Sequence, residues 1–133
     1  MALVAKLAGD ATLAGYMQAG AFVFMDEAPA GSTKFVIVSL VDETDAYTFE
    51  GRSHEDARYL VEARVLSTAG GNIKAAAARI DALLNLGTLT IAGYGLLLLR
   101  RAERIRMTDV DDQDASIRWH RRGGHYQLMA APT

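Results

Sequence analysis

An alanine-rich segment in the middle of the chain places the strongest constraint on the fold. Asn72–Leu86 begins with a favourable N-cap residue and carries an apolar stripe at helical spacing, so it is predicted to be an α-helix. The stripe comprises Ile73, Ala76, Ala77, Ile80, Leu83 and Leu84. Runs that alternate like β-strands flank the helix: Ala57–Ser67 precedes it, and Tyr94–Met107 and Ala115–Ala130 follow it. This order of strand, helix and two strands predicts an α+β unit.

The N-terminal third adds one helix and two strands to this unit. Apolar residues near helical spacing predict an amphipathic helix over about residues 2–18, and Ala21–Met25 is predicted to be a short strand. Phe35–Val41 is a continuous run of β-branched and aromatic residues, which is typical of a strand buried on both faces. Asp42–Asp56 then interrupts the pattern with six acidic residues against one arginine, and Arg58–Leu66 resumes a clear alternation.

The C-terminal third is predicted to form a hairpin. Thr88–Met107 is apolar at first and then rich in arginine, so we expect a long strand whose second half leaves the core. Val110–Ala115 reads as an acidic turn, and Ser116–Ala130 returns antiparallel with a bulge or kink at Gly123–Gly124. The chain is therefore predicted to be one α+β domain, residues 1–133. Its mostly antiparallel sheet of four to five strands packs with an N-terminal helix and one central helix.

The composition narrows the class of protein. At 133 residues the chain is long enough for one domain that buries roughly two-thirds of its unfolded surface. Hydrophobic residues make up 50% and charged residues 23%, which fits a globular protein and excludes a disordered one. A net charge of −2 argues against a protein that binds duplex DNA over its whole surface. The absence of cysteine excludes a disulfide scaffold, a cysteine-ligated zinc site and a thiol nucleophile.

No segment predicts a secretory signal or a membrane span. Lys6 and Asp10 interrupt the apolar N-terminus. The longest apolar run, Ile91–Leu99, contains two glycines and is much shorter than the ~18 residues that a membrane helix needs. We therefore expect a soluble protein that has no membrane partner.

The residues that carry chemistry predict no catalytic centre, no cofactor and no metal ion. Four aspartates follow the spacing at the start of a calcium loop: Asp109, Asp111, Asp112 and Asp114. The sixth position of this loop lacks glycine, and the twelfth is His120 rather than glutamate, so a solvated hairpin turn is the simpler interpretation. A small metal-dependent hydrolase using Asp109–Asp114 with His120 or His125 stays as the alternative from a different class.

Arginine is the strongest polar signal in the chain. Seven arginines gather on one ribbon if the two C-terminal runs pair as a hairpin: Arg100, Arg101, Arg104, Arg106, Arg118, Arg121 and Arg122. Such a ribbon is either a solvated edge that deters aggregation or a charged surface for an acidic neighbour. That neighbour would be a second subunit, another protein or nucleic acid. Trp119 and Tyr126 suit an interface, where aromatic residues and arginine dominate the binding energy, but both also suit the core.

The order of these elements resembles a known family. An N-terminal helix leads to a short strand and a Pro-Gly turn (Phe22–Gly31), then to the buried strand Phe35–Val41 and a polar excursion. The alternating strand Arg58–Leu66, the helix Ile73–Leu86 and two final strands follow, the last of which contains Trp119–Tyr126. This pattern covers most of the chain. It resembles the tail-completion or tail-terminator proteins of long-tailed bacteriophages and related gene transfer agents.

The resemblance implies a structural virion protein of the tail or neck, assembled in the host cytoplasm. In that family a small α+β subunit forms a homohexameric ring on the tail tube, stops tube polymerisation and offers a surface to the head-side connector. The implied partners are further copies of the chain, the tail tube protein and a head-completion or connector protein, with DNA passing through the lumen without specific binding. No catalytic residues come with the resemblance. Another neck component, such as a head-completion or stopper protein, is the nearest alternative.

A ring closes through a contact in which two different patches of one subunit meet. Our hypothesis is that an acidic and a basic patch meet between neighbouring subunits, where complementary charge fixes register and partner choice. The acidic patch comprises Asp42, Glu43, Asp45 and Glu50, and the basic patch comprises Arg101, Arg104, Arg106, Arg118, Arg121 and Arg122. The acidic stretch Asp42–Asp56 is either a hairpin that joins subunits or a loop toward the lumen. A lumen suits acidic residues, because clustered lysine and arginine would bind the phosphates of passing DNA. The sequence leaves both hypotheses open.

Overall fold

A computed structural model describes residues 2–48, 51–110 and 116–133 of the chain. The elements within these ranges are α1 (Ala2–Ala8), α2 (Ala11–Ala14), β1 (Val23–Met25), β2 (Lys34–Thr48), β3 (Gly51–Leu66), α3 (Ile73–Leu84), β4 (Tyr94–Val110) and β5 (Arg118–Pro132). The strands form one sheet in the order β1-β2-β3-β5-β4. β1 pairs with β2 in parallel, and the other neighbouring pairs are antiparallel. The predicted α+β fold is confirmed.

The N-terminal helical region differs from its prediction. One helix was expected over residues 2–18, but α1 ends at Ala8 and α2 starts at Ala11. The break occurs because Asp10 has an extended backbone and its side chain accepts a hydrogen bond from the Leu13 backbone nitrogen at 2.9 Å, which caps a new helix. Among the described residues, no helix has the length and apolar character that crossing a membrane requires.

The main core lies between the helices and one face of the sheet, called the helix face below. Val36, Val38 and Val61 on this face are fully buried and belong to one core cluster with Ile80 and Leu84 of α3. Leu3, Leu7 and Leu13 complete the core from α1 and α2. The opposite face, called the far face, buries Phe35 and Ile37 as well, so the predicted burial on both sides of β2 is confirmed for its first residues.

The polar stretch Asp42–Asp56 was predicted to interrupt the strand pattern, but its described residues belong to the sheet. Its described residues extend β2 and β3 into a long hairpin, in which Asp42 lies opposite Arg58 and Asp45 opposite Glu55. Leu40 and Val41 are already 45% and 49% exposed, so burial ends before this hairpin begins. Backbone pairing holds the strands together there. Residues 41–45 are exposed on both faces, so no buried side imposes an alternating apolar pattern on them.

The C-terminal hairpin is confirmed, with two corrections. β4 starts at Tyr94 rather than at Thr88, and its second half is largely exposed, as expected. No bulge lies at Gly123–Gly124, because both glycines pair one-to-one with β3 and β4. The register shifts are in β4 instead, one of them between Arg101 and Glu103. A Cβ on Gly123 would lie 1.9 Å from the carbonyl oxygen of Val61, so this glycine permits close approach to β3.

Candidate interaction surfaces

The arginines of the C-terminal hairpin divide between the two faces of the sheet. Because neighbouring residues of a strand point to opposite faces, Arg121 lies on the far face and Arg122 on the helix face. Arg122 lies directly opposite Arg106 of β4, and Arg104 lies two residues before Arg106. Arg118, at the start of β5, is exposed and lies opposite Val110. The hairpin therefore brings the predicted basic residues together as two groups rather than one.

The helix-face group lines a cavity of about 440 Å³ between α3 and the β4–β5 hairpin. We call it the basic cleft and define it by its cationic residues, Lys74, Arg101, Arg104, Arg106 and Arg122. The side of α3 that faces the cleft carries Lys74, Ala77, Ala78 and Asp81, which follow i, i+3, i+4 and i+7 spacing. The two alanines leave room between the helix and the sheet, so the cleft exists because this side of α3 is small.

Asp81 is the acidic residue among the described residues lining the cleft, and its oxygens are already engaged. Arg101 Nη1 donates to Asp81 Oδ2 at 2.7 Å, and the hydroxyl of Tyr126 donates to Asp81 Oδ1 at 3.0 Å. Burial and the adjacent Asp81 carboxylate raise the pKa of Tyr126, so it remains a donor at neutral pH. Asp81 therefore leaves the positive charges of Arg104, Arg106 and Arg122 without compensation.

Arg121 on the far face has carboxylate partners within the chain. Its Nε and Nη2 atoms lie 3.0 and 2.9 Å from Glu62 Oε1, and its Nη1 atom lies 3.1 Å from Asp109 Oδ2. Glu62 is 0% exposed and also accepts from Arg64 Nε at 2.8 Å. Burial alone would lower the pKa of Arg121, but the hydrogen bonds and charges of Glu62 and Asp109 raise it overall. Arg121 therefore acts as an internal counter-ion.

The predicted acidic turn is only partly described. Asp109 is paired with Arg121, whereas Asp111, Asp112 and Asp114 lie outside the described residues. His120 Nδ1 lies 3.4 Å from Thr108 Oγ1, and His125 Nδ1 lies 3.4 Å from Glu103 Oε2. Within residues 2–48, 51–110 and 116–133, no group of three or more histidines and carboxylates could hold a metal ion.

The acidic hairpin of β2 and β3 also has two faces. Ala57 and Glu55 share the helix face with Val61, because every second residue of β3 points to the same side. Glu43 and Asp45 lie opposite Ala57 and Glu55, so all three acidic residues lie on the helix face. Burial and then the carboxylates of Glu43 and Glu55 raise the pKa of Tyr59, which lies beside them on this face. Asp42 lies on the far face opposite Arg58. Glu50, the fourth predicted acidic residue, lies outside the described residues.

The acidic and basic groups lie at opposite ends of the sheet. Asp45 is level with Glu55 of β3, and Arg106 and Arg122 are level with Ala63, eight residues further along β3. At the rise of a β-strand this separation is about 26 Å. Asp45 therefore cannot form an ion pair with Arg106 or Arg122 of the same chain.

The sequence interpretation missed two residues of the basic cleft, Lys74 and Asp81. The signal for them was present in the i, i+3, i+4 and i+7 pattern of charged and small residues on α3. That pattern does not reveal which strands lie beneath the side of α3 that carries Lys74 and Asp81. The pairing of β4 with β5 and the position of α3 above it supply this information.

A family model and a solved structure both match this chain. The family model described as "Tail completion protein gp17" matches residues 1–127. Among solved structures, a chain from the virion of a native gene transfer agent (GTA) particle has the same fold, with a TM-score of 0.62 and 24% sequence identity. The match covers 98% of this chain and 92% of that chain. No curated protein matches the sequence.

Proposed function

The chain belongs to the tail completion protein gp17 family, and from that premise we propose that it forms a closed ring of identical subunits on the end of a tail tube. The resemblance drawn from the sequence is confirmed, and the protein is a structural component of a phage-type tail or neck. In the proposal, residues 1–133 are one domain, and six copies cap the tube, end its polymerisation and join it to the head-side connector. DNA crosses the lumen without specific binding, and assembly occurs in the host cytoplasm.

The separation of charge along the sheet is the observation that carries this proposal. A ring closes only through two different patches on each subunit, so that each copy offers one patch to either neighbour. Asp45 of the acidic hairpin and Arg106 of the basic cleft are offset by eight residues along the strands, about 26 Å by the rise of a β-strand, which is well beyond the Debye length of roughly 8 Å at physiological salt. In the proposal, the acidic residues of one copy pair with the basic residues of the next copy, on a protein whose net charge is only −2.

The protein is proposed to act by shape, without catalysis and without a cofactor. Arg121, a member of the predicted interface, is instead assigned to stabilising the subunit through Glu62 and Asp109. The remaining basic residues of the proposed interface are Arg101, Arg104, Arg106, Arg118 and Arg122. The acidic side keeps Asp42, Glu43, Asp45 and Glu50 as proposed members.

Negative-stain microscopy of the purified protein, alone and mixed with tail tubes, tests this function. We expect rings of uniform diameter and tubes that carry one ring at one end. Tubes polymerised with the protein should also be shorter than tubes polymerised without it. A protein that leaves tube ends bare but binds portal-side proteins would instead be a head-completion or stopper protein.

Charge reversal separates assembly from folding in the same experiment. Arg104→Glu combined with Arg118→Glu should preserve the circular dichroism spectrum and give monomers by light scattering. Rings that persist in this variant would contradict the assignment of the basic patch to the subunit interface.

A further inference from the structure

We propose that the basic cleft is the socket for the acidic hairpin of a second copy of this chain, an inference that rests on the proposed ring. The occupant is the helix-face side of the β2–β3 hairpin, which carries Glu43, Asp45 and Glu55. The receiving residues are Arg104, Arg106 and Arg122, with Lys74 on the α3 side. This assignment names the contact within the ring and leaves Arg121 outside it.

The cleft requires an anion that the subunit does not supply. Among the described residues, none of Lys74, Arg104, Arg106 and Arg122 forms an ion pair. Arg106 and Arg122 lie directly opposite each other on the same face, an arrangement of like charges that destabilises a sheet. Carboxylates placed between these guanidinium groups would remove the repulsion and accept paired hydrogen bonds.

The hairpin repeats the geometry of the cleft with the opposite charge. Arg104 and Arg106 are two residues apart on one strand, and Arg122 lies across from Arg106. Glu43 and Asp45 are likewise two residues apart on one strand, and Glu55 lies across from Asp45. Each set therefore forms a right angle with arms of roughly 5 and 7 Å. Asp45 and Arg106 occupy the two corners.

The residues beside each right angle are also matched in size. Glu43 lies opposite Ala57, and Arg104 lies opposite Gly124, so the fourth position is small in both sets. No bulky side chain stands between the two charged surfaces at that position. When the two surfaces face each other, Asp45 lies against Arg106. The longer arm of each set then lies along the shorter arm of the other, which gives a mismatch of about 2 Å that arginine side chains accommodate.

Nucleic acid is the other polyanion that such a cleft would attract. The hairpin is favoured because its three carboxylates reproduce the spacing of the three arginines, whereas phosphate contacts would need only positive charge. A nucleic-acid site also gives no account of the acidic face at the other end of the same sheet. The acidic hairpin and nucleic acid predict different results in the experiment described below.

Two reciprocal variants test the socket. The cleft variant carries Arg104→Glu and Arg106→Glu, and the hairpin variant carries Glu43→Lys and Asp45→Lys. All four positions are exposed, so both variants should fold, which circular dichroism and thermal unfolding check. In the presence of tail tubes, each variant alone should lose ring formation because its two patches carry the same charge. Mixed in equal amounts, the variants should restore rings in which they alternate, as an even-numbered ring permits.

Arg100→Glu is the matched control. Arg100 is an exposed residue of β4, lies on the far face and donates to Gln127 at 2.9 Å, so this variant should keep forming rings. Rings that persist in the cleft variant would overturn the socket and leave the proposed function standing. Loss of DNA binding by a cleft variant that still forms rings would assign the cleft to nucleic acid. A wild-type protein that never forms rings, even on tail tubes, would overturn both proposals.

The two corner residues provide a direct distance test. The chain has no cysteine, so Asp45→Cys combined with Arg106→Cys creates the only thiols in the protein. A short thiol crosslinker should then link successive copies into covalent multimers, up to the closed ring. The pair Asp45→Cys with Arg100→Cys should give none, because Arg100 lies on the opposite face. Equal crosslinking of both pairs would contradict the proposed contact.

Discussion

Arg121 and Arg122 are neighbours in the sequence and have different roles in the molecule. Arg121 reaches two carboxylates of its own chain, one of which is fully buried. Arg122 faces Arg106 and has no ion pair among the described residues. The strand alternation that separates them thus assigns one arginine to the interior and leaves the other available to a partner. The difference teaches that register, more than residue type, decides which charges are structural.

The energetics of the two sites differ for the same reason. Removing Glu62 from water carries a desolvation cost that only close, well-oriented cations offset, so losing a cation exposes that cost. The cations of the basic cleft remain partly hydrated and screened by salt, so losing one of them changes the subunit little. The far-face cluster should therefore determine stability, and the cleft should determine assembly.

Arg121→Met should have the largest effect on stability. The substitution keeps the side-chain volume but leaves Glu62 with Arg64 as its remaining ion-pair partner among the described residues. We expect the free energy of unfolding to fall by about 3 kcal/mol, near the low end for a broken buried pair because Arg64 remains. Urea denaturation measures it. An effect no larger than that of Arg122→Met would contradict the comparison.

Asp10→Asn should have an intermediate effect, since the Asp10–Arg79 pair is partly exposed. Arg79 donates to both carboxylate oxygens at 2.9 and 2.7 Å, and these hydrogen bonds lower the pKa of Asp10 from 3.8 to about 2. Because the folded pKa lies below the unfolded value, the pair stabilises the fold above about pH 4, and this contribution is lost as the pH falls towards 2.

Asparagine still caps α2, so the variant isolates the charge of Asp10 from its role as N-cap. At pH 7 the variant should melt about 3 °C below wild type. The difference should shrink between pH 4 and pH 2, as measured by thermal unfolding in a pH series. A difference that is constant over this range would show that the ion pair contributes nothing.

The sequence predicted the elements of the fold better than their extent. The apolar stripe of Asn72–Leu86 identified α3 because one face of that helix is buried. Beyond Leu40 the sequence left a hairpin and a loop both open, because residues 41–45 are exposed on both faces and no apolar alternation marks them as a strand. The break at Asp10 left a signal, an aspartate three residues before Leu13, which the apolar spacing outweighed.

The candidate site was predicted in kind but not in arrangement. Alternation along a strand would have separated Arg121 from Arg122, but the partner of Arg121 is Glu62, which is distant in the sequence. Only the register of β3 with β5 brings Arg121 beside Glu62. Lys74 was missed for a related reason, because the sequence does not specify which strands lie under the side of α3 that carries Lys74.

Arg122→Met should have the smallest effect on the subunit, with the opposite sign to Arg121→Met. Removing one of two like charges that face each other should raise the free energy of unfolding by no more than about 0.5 kcal/mol. The gain should be largest at low ionic strength and should fade as salt screens Arg106 from Arg122. Urea denaturation in 20 mM and 500 mM salt, at concentrations where the chain is monomeric, measures both.

Because ring formation would couple stability to concentration, the same variant should lose stability where wild type forms rings. A loss in the monomer would mean that Arg122 has a stabilising partner within the chain and that the cleft is already occupied.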